Sequence, residues 1–91
     1  MRRRDLPLAP EWSTTIAFQL VDPSGNRYRA YSLWLTQDLF GDWVLLRAFG
    51  RIGKAPRVQG HTFPSRSDAE ALAHRLIRRR LLHGYRVTAS H

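Results

Sequence analysis

The stretch that decides the fold reads Ile16-Ala17-Phe18-Gln19-Leu20-Val21-Asp22-Pro23-Ser24-Gly25-Asn26-Arg27-Tyr28-Arg29-Ala30-Tyr31-Ser32-Leu33-Trp34-Leu35-Thr36. In its first part Ile16, Phe18 and Leu20 alternate with Ala17 and Gln19. A period of two places alternate side chains on one side of an extended chain and predicts a strand, within Trp12 to Val21. Asp22 to Asn26 reads as a turn, with Pro23 presetting φ and Gly25 supplying a positive φ. From Arg27 to Thr36 the alternation resumes. Tyr31, Leu33 and Leu35 face one way; Ala30, Ser32 and Trp34 face the other. Two alternating runs joined by a short turn predict an antiparallel hairpin.

Working outward, Gln37 to Asp42 is the next connection, with Gly41 as its pivot. Trp43 to Phe49 is the most apolar strand, interrupted by Arg47, and completes a meander. Gly50 to Arg57 is a loop dense in glycine and base. Val58 to Phe63 is a candidate fourth strand, stopped by Pro64. A helix then starts at Ser65-Arg66-Ser67-Asp68, where either serine is a candidate cap and Ser65 with Asp68 has capping-box spacing. Ala69, Leu72, Ala73, Leu76 and Ile77 form an apolar stripe at helical spacing, and Gly84 ends the helix. The expected fold class is α+β: a small twisted antiparallel sheet of three to four strands with one long C-terminal helix packed across a face. The expected organisation is a flexible basic N-terminal arm over 1–11, a domain over 12–87 and a tail over 88–91.

With 91 residues, the chain has room for one core. Its 43% hydrophobic and 11% aromatic content argue for a folded globule. The chain has no cysteine, which excludes disulfides, Cys-ligated zinc, iron–sulfur clusters and a thiol nucleophile. No apolar run approaches the about 20 residues of a membrane span. Charge is the strongest compositional signal. Fifteen Lys+Arg against seven Asp+Glu give +8, and fourteen of the fifteen bases are Arg. Residues 1–42 balance to zero, whereas 43–91 hold ten bases against Asp68 and Glu70 alone. Arg is suited to bidentate phosphate contact, so nucleic acid is the first partner to consider. An anionic protein or membrane surface is the second.

Catalytic patterns are weak. The carboxylates are scattered, there is no Gly-x-Ser-x-Gly elbow, and His61, His74, His83 and His91 show no metal-binding spacing. No metal, cofactor or catalytic residue is expected, and a cytoplasmic location is. His61 or His83 with an arginine would be the minimal set for a small ribonuclease. Gly50-x-x-Gly53-Lys54 does not satisfy the phosphate-loop pattern. What stands out instead is a glycine-rich bend flanked by Arg47, Arg51, Lys54 and Arg57, with Phe49 at its start. Glycines let a backbone approach a phosphate, and an aromatic ring stacks on a base. The alternative is a tight hairpin with Phe49 in the core. Arg75, Arg78, Arg79, Arg80 and Arg86 form a second basic stretch, either a solvated helix face or a phosphate-facing one. Arg80 points nearer the apolar stripe, a position for snorkelling or pairing. Trp12, Trp34 and Trp43 are read as core or staple residues.

From Leu39-Phe40-Gly41-Asp42 to Tyr85-Arg86 the chain resembles the WGR domain family. The family's naming tripeptide stands here as Phe49-Gly50-Arg51, followed by Ile52-Gly53 and preceded by Leu45-Leu46-Arg47. His61-Thr62-Phe63, the helix at Ala69 and the closing Gly84-Tyr85-Arg86 follow in family order, and Tyr31-Ser32-Leu33 resembles its first tyrosine-bearing strand. The resemblance spans residues 14–87 and is closest to short stand-alone bacterial members. It implies a compact antiparallel sheet with one helix and a nucleic-acid-binding role. In the poly(ADP-ribose) polymerases such a domain contacts DNA near strand breaks. Carried over, Phe49 is the stacking residue, Gly50 the close-approach residue and Arg51 the basic contact. Phe49 departs from the naming Trp and lacks its N–H donor, while Pro56 and Arg57 stiffen the loop and add charge. The expected function is therefore a non-enzymatic module for nucleic acid, DNA before RNA. Its candidate site is Arg47, Phe49, Gly50, Arg51, Lys54, Arg57, Arg78, Arg79 and Tyr85. The alternative is a protein–protein interaction module acting beside larger partners.

Overall fold

The computed structural model describes residues 12–91; the arm expected over 1–11 lies outside the described residues. Five strands are present: β1 (Thr15–Asp22), β2 (Arg27–Gln37), β3 (Trp43–Arg51), β4 (Arg57–Phe63) and β5 (Arg86–Ser90). One helix, α1 (Arg66–Leu82), lies between β4 and β5. The strands form a single sheet in the order β4-β3-β2-β1-β5, with every neighbouring pair antiparallel. The expectation of three to four strands with a C-terminal helix is thus corrected to five strands, the last following the helix. After Gly84 (φ 90°) the chain turns back and adds Arg86–Ser90 along the free edge of β1. Val87 and Ala89 alternate with Arg86, Thr88 and Ser90, but over only five residues such a pattern carries little strand signal; the unpaired N–H and C=O groups of β1 provide the template. His91 N donates to Thr15 O, and His91 O accepts from Ser13 and Thr14, closing this edge.

The turn between β1 and β2 also departs from expectation. It is a one-turn 3-10 helix (Pro23–Gly25) capped by Asp22, and the left-handed residue is Asn26 (φ 52°). At Gly25 a Cβ would stand 2.7 Å from Asp22 Oδ2, so a side chain there would push the capping carboxylate aside. The Ser24 hydroxyl, then the Arg27 guanidinium and the Gly25 N–H, hold the Asp22 carboxyl below the usual carboxylate range.

Register fixes which residues share a face. Ile16↔Leu33, Phe18↔Tyr31, Leu35↔Leu45 and Leu45↔His61 put the β1 and β2 runs, Leu45 and His61 together. Here α1 buries Ala69, Ala73, Leu76 and Ile77, and the core cluster forms between helix and sheet. The helix starts where Ser65 accepts from the Asp68 N–H at 3.2 Å. Trp12 and Trp43 are half-buried against the core, but Trp34 is 41% exposed on the opposite face.

Candidate nucleic-acid interface

The glycine-rich bend is a short turn, because β3 runs on through Arg51 and β4 begins at Arg57. Arg51, Lys54 and Arg57 are exposed around it. Arg57 pairs with Phe49 across the ladder, and Lys54 N donates to Arg51 O. Arg51 reaches back to the β1–β2 turn: its guanidinium lies 5.1 Å from the Tyr28 ring centroid, and Nη2 donates to Asn26 Oδ1. Beside Gly50 there is ordinary space, with Pro56 Cα 3.7 Å from where a Cβ would be.

Phe49 is half-buried and packs against the core cluster. Its ring stacks on Tyr31 at 6.4 Å, and Tyr31 meets Tyr85 edge-on at 6.4 Å. A row of three rings therefore joins the β3–β4 hairpin to the end of α1. Two arginines lie over it. Arg47 sits 5.4 Å from the Phe49 centroid and donates through Nε and Nη2 to Gln59 Oε1. Arg80 sits 4.7 Å from Tyr31 and 5.3 Å from Tyr85. Its Nε is buried without a hydrogen-bond partner among the described residues, so ring faces rather than a carboxylate hold its charge. Arg78 and Arg79 stand exposed on α1, without a hydrogen bond or ion pair to the hairpin among the described residues.

Arg27 and Arg29 extend the basic surface in a direction that the sequence reading missed. One notch of about 180 Å³ is lined by Asn26, Arg27, Tyr28, Arg29 and Arg51. Another, of about 350 Å³, is lined by Leu20, Arg27, Arg29, Arg80, His83 and Tyr85. Arg27 and Arg29 belong to a segment, 1–42, whose charges balance to zero. In space, Asp22 pairs with Arg27 at 3.0 Å and leaves Arg29 without an acid. The other ion pair among the described residues joins Arg66 and Glu70 at 2.6 Å. Arg29, Arg47, Arg51, Lys54, Arg57, Arg78, Arg79 and Arg80 thus have no carboxylate partner among the described residues. An acid-poor cationic surface of this kind attracts phosphates.

No group of three or more His, Asp or Glu residues that could hold a metal occurs among the described residues. His61 lies on β4 and His83 caps α1, so the two ribonuclease candidates belong to separate elements. No described helix is long and apolar enough to cross a membrane.

A five-stranded antiparallel sheet with one helix on a face and a basic β3–β4 hairpin define a small α+β domain. The chain belongs to the WGR domain family, which it matches over residues 14–91. That family is generally a nucleic-acid-binding module. Uncharacterized protein y4dW of Sinorhizobium fredii (strain NBRC 101917 / NGR234) is 41% identical over 66 residues, which cover 72% of this chain and 32% of that protein. The matched stretch thus spans about a third of that relative's length. No solved structure matches the chain.

Proposed function

We propose that this domain binds DNA through the β3–β4 hairpin. Arg47, Arg51, Lys54 and Arg57 take phosphates, Gly50 leaves room for the backbone to approach, and Phe49 offers the ring face over which Arg47 lies. Tyr85 with Arg78 and Arg79 extends the surface along α1. The observation that carries this reading is the exposure of Arg51, Lys54 and Arg57 around one hairpin with no acid between Trp43 and Ser67. Arg29 and Arg51 adjoin in the same notch and continue that surface onto β2. A base that stacks on Phe49 must displace the Arg47 guanidinium from its ring, and the freed guanidinium then serves a phosphate.

Fluorescence anisotropy tests the proposal with intact, nicked and blunt-ended duplex, single-stranded DNA and RNA at several salt concentrations. About five phosphate contacts predict a slope of log K against log salt near −4 to −5. Arg51→Ala weakens binding across sequences and makes that slope shallower by about 1. Absence of binding at low salt overturns the proposal; RNA outcompeting duplex DNA overturns its choice of nucleic acid.

A further inference from the structure

The sheet has a second face that no element covers among the described residues. Register puts Thr15, Trp34, Leu46 and Gly60 in one row across four strands, and Ala17, Ser32, Ala48 and Val58 in the next. Trp34 is 41% and Val58 58% exposed. Charges reach this face only toward its far end among the described residues, where Arg51 lies over Tyr28 and Arg86 pairs with Gln19. The Trp34 end is uncharged and holds a shallow trough of about 600 Å³, lined by Thr14, Thr15, Trp34, Leu35, Thr36 and Leu46.

The β2–β3 loop leaves β2 just after Thr36, one of the residues that line the trough. Its tip presents Leu39, 100% exposed, and Phe40, 90% exposed. Two fully displayed apolar side chains lose contact with nothing and gain only from a partner. The loop holds them in place. Asp38 Oδ1 accepts from the N–H groups of Phe40 and Asp42 at 2.9 and 3.0 Å, and Asp38 N donates to Asp42 O. Gln37 Nε2 donates to Gly41 O at 3.1 Å, and Gly41 (φ 85°) makes the bend. Ordering of the tip therefore precedes any contact, which removes part of the entropic cost of binding.

We propose that the uncovered face is a self-association surface. Two copies pack open face to open face about a two-fold axis, with Leu39 and Phe40 of each seated at the Trp34 trough of the other. Both knob and trough lie at one end of the same chain, so the contact is reciprocal and closes at two copies. Area supports a second copy as the occupant. At about 4.8 Å between strands and 3.4 Å per residue, six residues on five strands span about 500 Å². The aromatic tip residue alone adds about 150–250 Å². The total approaches the about 800 Å² per partner of a specific interface. Charge permits it as well. The Trp34 end brings no charged side chain among the described residues into the contact, and like charges meet only at the far end, around the exposed Arg51 and Arg86. Their mutual repulsion is screened beyond about 8 Å at physiological salt.

Sedimentation velocity on the full 91-residue chain, over a range of protein and salt concentrations, tests this directly. The expected result is a concentration-dependent doubling of the 10.6 kDa mass, favoured by added salt. Salt weakens nucleic-acid binding, so the two properties fail independently. The double variant Leu39→Ser, Phe40→Ser changes exposed residues only, and circular dichroism checks that it folds. Its dimer dissociation constant should rise at least ten-fold. A wild-type monomer at every concentration and salt overturns the proposal, as does a dimer that the double variant leaves intact. A monomeric wild type whose double variant loses DNA affinity would instead make the tip a nucleic-acid wedge.

Discussion

On the helix-bearing face Leu33 and Leu45 are completely buried, while on the other face Trp34 and Val58 are about half exposed. Both faces come from the same strands. Leu45 and Leu46 are chain neighbours with opposite fates: the first is sealed beneath the helix, the second borders an open trough. The difference teaches that alternation sorts side chains into two sets without saying which set is covered. One 17-residue helix covers only one side of a five-stranded sheet. Aromatic rings and arginines finish the covered face beyond the helix, where Phe49, Tyr31 and Tyr85 line up under Arg47 and Arg80.

The sharpest way to break this comparison is to truncate both neighbours on β3. Leu45→Ala removes a fully buried side chain and should cost about 2–5 kcal/mol in urea unfolding. Leu46→Ala should cost less than about 1 kcal/mol in dilute protein. Equal losses would mean that the second face is covered in solution. A Leu46→Ala loss that grows with protein concentration would mean that a second copy covers it. A smaller effect tests the ring row. Arg80→Met keeps the apolar stem but removes the charge over Tyr31 and Tyr85, and should lower stability by about 1–2 kcal/mol in thermal unfolding. No loss would mean that the stem alone supports the rings. The smallest effect belongs to the β1–β2 turn. The folded Asp22 pKa lies below its ordinary 3.8, so its contribution is present above that value and fades as pH falls through the lowered one. Asp22→Asn should therefore melt slightly below wild type at neutral pH, and the gap should close on acidification. A gap constant with pH would place the effect in packing rather than ionisation.

Much of this molecule is legible in local chemistry. Pro, Gly and Asp clusters delimit β1 to β3, and the Ser65 cap with the Ala69–Ile77 stripe locates the helix, because turns, caps and periodicity are properties of a few adjacent residues. β5 is only weakly legible, because Val87 and Ala89 alternate with polar residues over just five positions and its partner β1 lies about seventy residues away in the chain. The candidate site divides in the same way. Arg47, Arg51, Lys54 and Arg57 are visible as an acid-free run. Arg29 is hidden in a half whose charges cancel on paper, and Arg80 in a basic helical stretch where its neighbours face solvent. Phe49 is the intermediate case. Its place at the edge of the bend is plain from sequence, but its half-buried packing on Tyr31 follows from β2 lying beside β3.

By itself the sequence determined the order of the first four strands and the helix, the strong positive charge and the family. Those properties rest on local periodicity, composition and spaced motifs. Tertiary structure alone decided that a fifth strand closes the β1 edge, that Arg80 rests on two tyrosine rings, and that Trp34 lies open. Each depends on which distant segments meet and on one helix being too narrow to cover both faces of a sheet. Burial and pairing are properties of the assembled surface, and no window of the chain contains them.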